Sequence, residues 1–273
     1  MFFIPKIIKQ MAITVKYEFD PEQLTPVVES SVFESHPEAP FWIGRVATGN
    51  VIEKPREYFG AHILRANIYI DQEGFLPAEA RSANGGEYDT DDDRSVQFAT
   101  LENHNQESRV IGTVRLVEKR NRDDILPAEE IFPEAFKDAP AEVGSVEVSR
   151  LIAKHSEPLT QTYAALAAIR ASDLYCIENG VPNTYAVVER PLYVYLSRMG
   201  VPCEKMSELK VTPEYGDTEN MVVRINPMKL HENATDIESK YDLLRKFYDG
   251  ALESLGLGHF NKDFLPHSIA VEV

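Results

Sequence analysis

Glu147, Ser149 and Arg150 sit inside an otherwise apolar run, Val146-Glu147-Val148-Ser149-Arg150-Leu151-Ile152-Ala153. The alternation at its start and the closing Leu151-Ile152-Ala153 predict a strand with at least one buried face. Side chains alternate across a strand, so Glu147 and Ser149 are expected on one face and Arg150 on the other. A buried carboxylate is costly unless it is paired or held in a site. The run is therefore either an exposed edge or a place where chemistry is done. Upstream lies a second polar constellation, Glu87-Tyr88-Asp89-Thr90-Asp91-Asp92-Asp93. It has neither the central glycine nor the closing glutamate of a calcium loop, so no metal is expected. Its plain reading is a solvated acidic loop that caps the next element. Between the two, Val110-Ile111-Gly112-Thr113-Val114-Arg115-Leu116-Val117 sets an arginine among apolar neighbours. Such an arginine requires a carboxylate partner.

Acidic loop, arginine strand and Glu-x-Ser-Arg strand, in that order, resemble a branch of the GNAT acyltransferase superfamily. That branch includes the acyl-homoserine-lactone synthases and the N-acyl amino acid synthases. Its Glu-x-Asp-x-x-Asp loop is matched by Glu87, Asp89 and Asp92, and its Gly-Thr-x-Arg-Leu strand by Gly112, Thr113, Arg115 and Leu116. Its Glu-x-Ser-Arg strand is matched by Glu147, Ser149 and Arg150. The likeness runs from Tyr58 to Asn226. It implies an α/β (α+β) GNAT-like acyltransferase fold: a central mixed, mostly antiparallel twisted sheet flanked by helices, here with N- and C-terminal extensions.

Composition fits such a chain. Its 273 residues, 43% hydrophobic, suffice for one large domain or one domain with arms. With 28 Lys and Arg against 44 Asp and Glu the formal charge is −16, which argues against a general nucleic-acid binder. Cys176 and Cys203 are far apart and match no disulfide or zinc spacing, which fits a reducing cytoplasm. The start, Met1 to Lys9, is too short for a membrane span and lacks a small-residue cleavage site. As a short amphipathic arm it could touch a membrane surface or a partner subunit.

The elements that position these residues follow from periodicity and breakers. Residues 1–53 are expected as an N-terminal arm and first strand (Phe41 to Ala47), 54–227 as the acyltransferase core, and 228–273 as a C-terminal helical extension. Glu57 to Glu73 reads as a helix on Phe59, Ile63, Ala66 and Ile70, and it carries Arg65. Ser95 to Leu101 and Arg109 to Lys119 form a hairpin; Lys119 to Val143 is irregular, with three prolines. Glu157 to Asn179 is a helix stopped by Gly180, Thr184 to Val188 a strand, and Arg190 to Met199 a helix stopped by Gly200. Glu219 to Ile225 is the last core strand, and Asp236 to Leu255 an amphipathic helix. The terminal segments are expected to pack on the core or build a homodimer.

The resemblance implies roles. Arg65 matches an arginine near the acyl and amine pocket, and Glu87, Asp89, Asp92, Arg115, Ser149 and Arg150 join it as substrate-binding candidates. Glu147 is the candidate base for the acceptor ammonium. Tyr193 or Tyr195 would protonate the leaving thiolate. Most of these charges must pair, because lone buried charges are too costly, while a remaining arginine could grip an amino acid's carboxylate.

Gly74-Phe75-Leu76 stands where lactone synthases usually have Gly-Trp, which favours an amino acid over S-adenosylmethionine as acceptor. The loop Lys154-His155-Ser156-Glu157-Pro158 has no glycine and would offer a diphosphate few N–H donors. This favours an acyl-phosphopantetheine thioester on acyl carrier protein over acyl-coenzyme A, with no tightly bound cofactor. Arg190, Arg198, Lys205 and Lys210 form a basic sequence cluster that would suit an acidic carrier protein. The expected activity is thus N-acylation of an amino acid. The alternatives are an acyl-homoserine-lactone synthase using S-adenosylmethionine and a non-catalytic module that binds acyl chains or carrier protein.

Overall fold

The computed structural model describes residues 41–104, 107–215, 218–235 and 259–260. The N-terminal arm and the Asp236 to Leu255 helix lie outside them. Among the described residues ten strands form one sheet, ordered β10-β1-β3-β4-β5-β6-β9-β7, with β2 paired to β1 and β8 to β9. The long strands are β1 (Phe41–Thr48), β3 (Ser95–His104), β4 (Glu107–Glu118), β5 (Val146–Ala153), β6 (Thr184–Glu189) and β9 (Glu219–Ile225). The short ones are β2 (Val51–Ile52), β7 (Cys203–Lys205), β8 (Lys210–Val211) and β10 (His259–Phe260). Pairing is antiparallel except at β1/β10 and β5/β6. β1, which the sequence groups with the N-terminal arm, lies inside the sheet against β3.

Helices cover both faces, as each sheet face must be buried. On one face α4 (Pro158–Glu178) lays Ala167, Ala168 and Ala171 against Val96, Phe98, Val114, Leu116 and Val146, and Ala164 against Ile111 and Ala153. Four alanines on one stripe let the helix sit close to the sheet. α5 (Arg190–Met199) packs beside it through Leu192 and Tyr193 on Val188, Met221 and Val223, and ends at Gly200 with φ 95°. α6 (Pro227–Thr235) lies near α4.

On the opposite face α1 (Pro55–Ala66) buries Tyr58 and Ala61 against Val46, Ala47, Ala99 and Leu101. Gly60 permits this approach, since a Cβ there would lie 2.7 Å from Val110. α1 continues without a break into a π-helical turn, Asn67–Gln72. The 3.6-residue spacing predicts no such widening. The stretch from Lys119 to Val143, expected to be irregular, holds two short helices, α2 (Pro127–Ile131) and α3 (Pro133–Phe136). Each starts with proline at its first position, where the missing N–H costs nothing. Both pack on Val117, Tyr185 and Val222.

Two irregularities in β5 shape the site. Thr113 pairs with Ile152 and Arg115 with Ser149, so Arg150 and Leu151 both stand opposite Val114. This is a β-bulge, and Arg150 adopts φ 53°, the one positive φ outside glycine among the described residues. The second concerns β6. It pairs with β5 only from Val146/Thr184 to Val148/Ala186, after which the two strands part company.

Candidate active site

The bulge corrects the expectation that Arg150 points away from Glu147 and Ser149. Strict alternation fails there, and Arg150 turns to the face of α1, where it meets the same loop as Arg115. Arg115 donates from Nε to Ser149 Oγ at 3.0 Å and from Nη1 to Asp89 Oδ1 at 2.5 Å. Arg150 donates from Nη2 to Asp89 Oδ2 at 2.9 Å and to Glu87 Oε1 at 3.0 Å.

Together with Arg65 these groups close a ring. Arg65 donates from Nε to Glu87 Oε2 at 2.5 Å and from both terminal nitrogens to Asp92, at 2.8 and 3.2 Å. Arg115 completes the cycle to Asp92 at 3.0 Å. Each of the three arginines is bonded to two carboxylates, and Glu87, Asp89 and Asp92 are each bonded to two arginines. This corrects the expectation that one of these arginines remains to grip a carboxylate: all three are already paired, three to three.

The acidic loop is folded by its own side chains. Asp89 Oδ1 accepts from Asp91 N at 3.0 Å and Asp92 Oδ2 from Asp89 N at 3.0 Å, starting the 3-10 turn Thr90–Arg94. His62, one turn before Arg65 on α1, donates from Nδ1 to the Glu87 carbonyl at 2.6 Å and stacks on Tyr88 at 4.0 Å. Burial, then the Arg65 charge, pushes its pKa down to about 4, so it stays neutral. Gln97 Nε2 donates to Asp92 Oδ1 at 3.1 Å.

Exposure divides the cluster. Arg65, Arg115, Glu87 and Asp92 lie beneath the surface, whereas the side chains of Arg150 and Asp89 keep 22% and 30% of theirs. Ser149 is half-buried. The ring therefore presents one zwitterionic edge to solvent. The π-turn sets Tyr69 beneath it, with the Arg150 guanidinium 5.2 Å from the ring centre.

Burial resists ionisation of Glu87, but Arg65 and Arg150 override it and hold its pKa down to about 2. For Asp92 likewise, Arg65 and Arg115 outweigh burial and lower the pKa. Both carboxyls are thus more acidic folded than unfolded, so their stabilisation is present above the unfolded values and lost as pH falls through the folded ones. We expect stability, followed by urea unfolding, to decline steeply from pH 4.5 towards pH 2. A flat profile there would mean that the ring does not hold in solution.

Glu147 stands apart from the ring. It is 1% exposed and accepts from Ala128 N, in the first turn of α2, at 2.7 Å. Burial raises its pKa to about 7, opposed by the Ala128 N–H and by Arg115. A carboxyl poised there accepts and returns protons near neutral pH. Tyr215, whose pKa is raised by burial and then by Glu147, belongs to the same surroundings.

Tyr193 is half-buried against Val188, Met221 and Val223; the side chain of Tyr195 lies outside the described ones. The basic residues do not form one patch. Arg190, Arg198 and Lys205 are exposed. Lys205 stands opposite Val223, on the α5 face. Lys210 lies on the other face, over the Phe132 ring at 4.3 Å and bonded to Glu134 at 2.9 Å. An alternating strand register separates it from the rest.

No family model matches the chain, and no curated relative does. Solved structures do match. The coenzyme-A-dependent acyl-homoserine lactone synthase BjaI, in a structure with SAM and isopentyl-CoA, aligns at a TM-score of 0.57 and 15% identity, covering 82% of this chain and 93% of that one. A second coenzyme-A-dependent synthase, MesI, aligns at 0.55 and 14%, covering 77% and 95%. The synthase LasI aligns at 0.52 and 18%, covering 68% and 89%. The fold is the GNAT-like N-acyltransferase fold.

Proposed function

We propose that the protein is an N-acyltransferase that moves a fatty acyl group from a thioester donor to the amine of an amino acid. The observation that carries this reading is the parting of β5 and β6 after Val148/Ala186, directly beside the solvent-facing Arg150–Asp89 edge. A cleft between strands admits an extended thioester arm. A paired cation and anion at its lip match the carboxylate and ammonium of a zwitterion. In this reading Arg150, Asp89 and Ser149 touch the acceptor, and Arg65, Arg115, Glu87 and Asp92 hold them in place.

Glu147 takes a proton from the acceptor ammonium, directly or through water. The freed amine attacks the thioester carbonyl, and a backbone N–H at the strand split steadies the oxyanion. The C–S bond then breaks, the thiolate takes a proton from Tyr193 or Tyr195, the amide nitrogen gives its second proton to that tyrosinate, and Glu147 releases the first to solvent. Amide and free thiol leave.

The donor is proposed to be acyl carrier protein. The loop before α4 consumes its own donors: His155 N bonds Gln161 Oε1 at 3.2 Å, and Glu157 N bonds His155 Nδ1 at 3.0 Å. Pro158 supplies none, and Glu157 adds a carboxylate where a diphosphate would sit. Arg190, Arg198 and Lys205, on one sheet face, would meet the acidic carrier; Lys210 takes no part.

The test is mass spectrometry of purified protein with acyl carrier protein or acyl-coenzyme A and a mixture of amino acids. We expect an N-acyl amino acid, with kcat/KM about tenfold higher for the carrier-bound donor. Equal or better use of acyl-coenzyme A would overturn the donor assignment. The Arg150–Asp89 edge equally fits the amino acid end of S-adenosylmethionine, so an acyl-homoserine lactone formed when that is added would favour the lactone-synthase reading. Donor binding without any product would favour a non-catalytic module.

A further inference from the structure

α2 spans five residues, too few to be stable alone. One side chain ties it down. Glu129 Oε2 accepts from Leu126 N at 2.9 Å and from Lys119 Nζ at 2.8 Å, and Glu129 Oε1 accepts from Ala141 N at 3.1 Å. Lys119 is itself buried, and its Nζ also donates to the Asp124 carbonyl. Its backbone is tied to the turn that leads into β5, through Lys119 N to Ser145 O at 2.9 Å and Gly144 N to Lys119 O at 2.8 Å. The Lys119–Glu129 pair thus staples both ends of the loop between β4 and β5 to α2. The residue next to Glu129 is Ala128, whose N–H meets Glu147.

We propose that Glu129, clamped by Lys119, is a positioning residue for Glu147: it fixes α2 so that Ala128 N–H stays directed at the Glu147 carboxylate. This rests on the reading of Glu147 as the base. Other groups face Glu147 from every side: Arg115 on β4, Asp91 and Arg94 from the acidic turn, Tyr215, and its cross-strand neighbour Tyr185. Glu129 makes no hydrogen bond to any of these; its charge reaches Tyr185 through space, and the Ala128 N–H is the direct contact by which α2 acts on Glu147. That hydrogen bond favours the ionised carboxylate, and losing it makes Glu147 a weaker acid.

The experiment is a pH titration of the substrate-free protein by carbon NMR with labelled glutamate carboxyls, using Glu147→Gln to identify the Glu147 signal. Glu129→Ala is expected to raise the Glu147 midpoint by about one pH unit, the size of one lost hydrogen bond. Glu129→Gln keeps an acceptor for Leu126 N and raises it by less. Replacing Ala128 with lactate exchanges only the N–H for an ester oxygen. The change lies in the first helical turn, whose N–H groups have no intrahelical partner, so the chain folds and its midpoint rises as in Glu129→Ala. An unmoved midpoint in the lactate chain, or in whichever Glu129 variant folds, overturns the proposal, even if that variant melts earlier. Failure of acyl transfer in the unaltered protein bears on the base role alone and leaves this titration intact.

Discussion

Glu147→Gln is expected to lower turnover about 10²–10⁴-fold while the protein stays folded and binds acylated carrier normally. The amide keeps an oxygen for Ala128 N–H and nearly the same volume, so packing around position 147 is preserved. What disappears is proton acceptance near pH 7. The stability consequence has a definite sign. With its pKa raised from 4.5 to about 7, Glu147 binds its proton more tightly folded than unfolded, so its presence costs stability as pH rises through that window. The variant should therefore gain on the parent between pH 4.5 and 7, by on the order of 3 kcal/mol at pH 8. Turnover assays and urea unfolding across that range check both halves. Retained turnover would sink the assignment of Glu147 as base.

Arg65→Met is expected to destabilise the fold by about 3–5 kcal/mol, the range for breaking one partner out of a buried ion pair. Arg65 is 0% exposed and makes three hydrogen bonds to two carboxylates. Methionine fills much of the space but leaves Glu87 and Asp92 each with one arginine. Adding Asp92→Asn removes one of the stranded charges, so the pair of changes should cost clearly less than the sum of the single ones. Urea unfolding of the four proteins gives the coupling. Additive costs would show that the two side chains do not meet.

The sequence shows the strands and long helices well where period and punctuation agree. The helix from Arg190 to Met199, bounded by Gly200, has the expected limits, and the two motif strands, β4 and β5, are neighbours in the sheet. Three features were hidden for physical reasons. A bulge has no period of its own, so the turning of Arg150 onto the Glu147 face is invisible to alternation. A π-turn reads locally as helix, so Tyr69 gave no signal beyond its place four residues after Arg65. The helices α2 and α3 are shorter than any periodicity can register, although Pro127 and Pro133 at their starts marked them. Pairing was foreseeable in kind but not in extent: residue counts gave three arginines among four carboxylates. Only the fold shows Glu147 outside the cluster and the other three acids inside it.

The ring of alternating charges also bears on how such a chain can change over time. An open string of ion pairs can be shortened from its end, one residue at a time, with little loss. A closed cycle has no end. Removing any of its six members leaves two neighbours with one partner each, at least one of the two buried, so every one-step path leads downhill, and only paired replacements of opposite sign avoid the valley. The members come from α1, the acidic loop, β4 and β5, so such a pair must arise in two separate segments before either is useful. Drift is held back at these positions by connectivity alone, whatever acceptor the exposed edge takes.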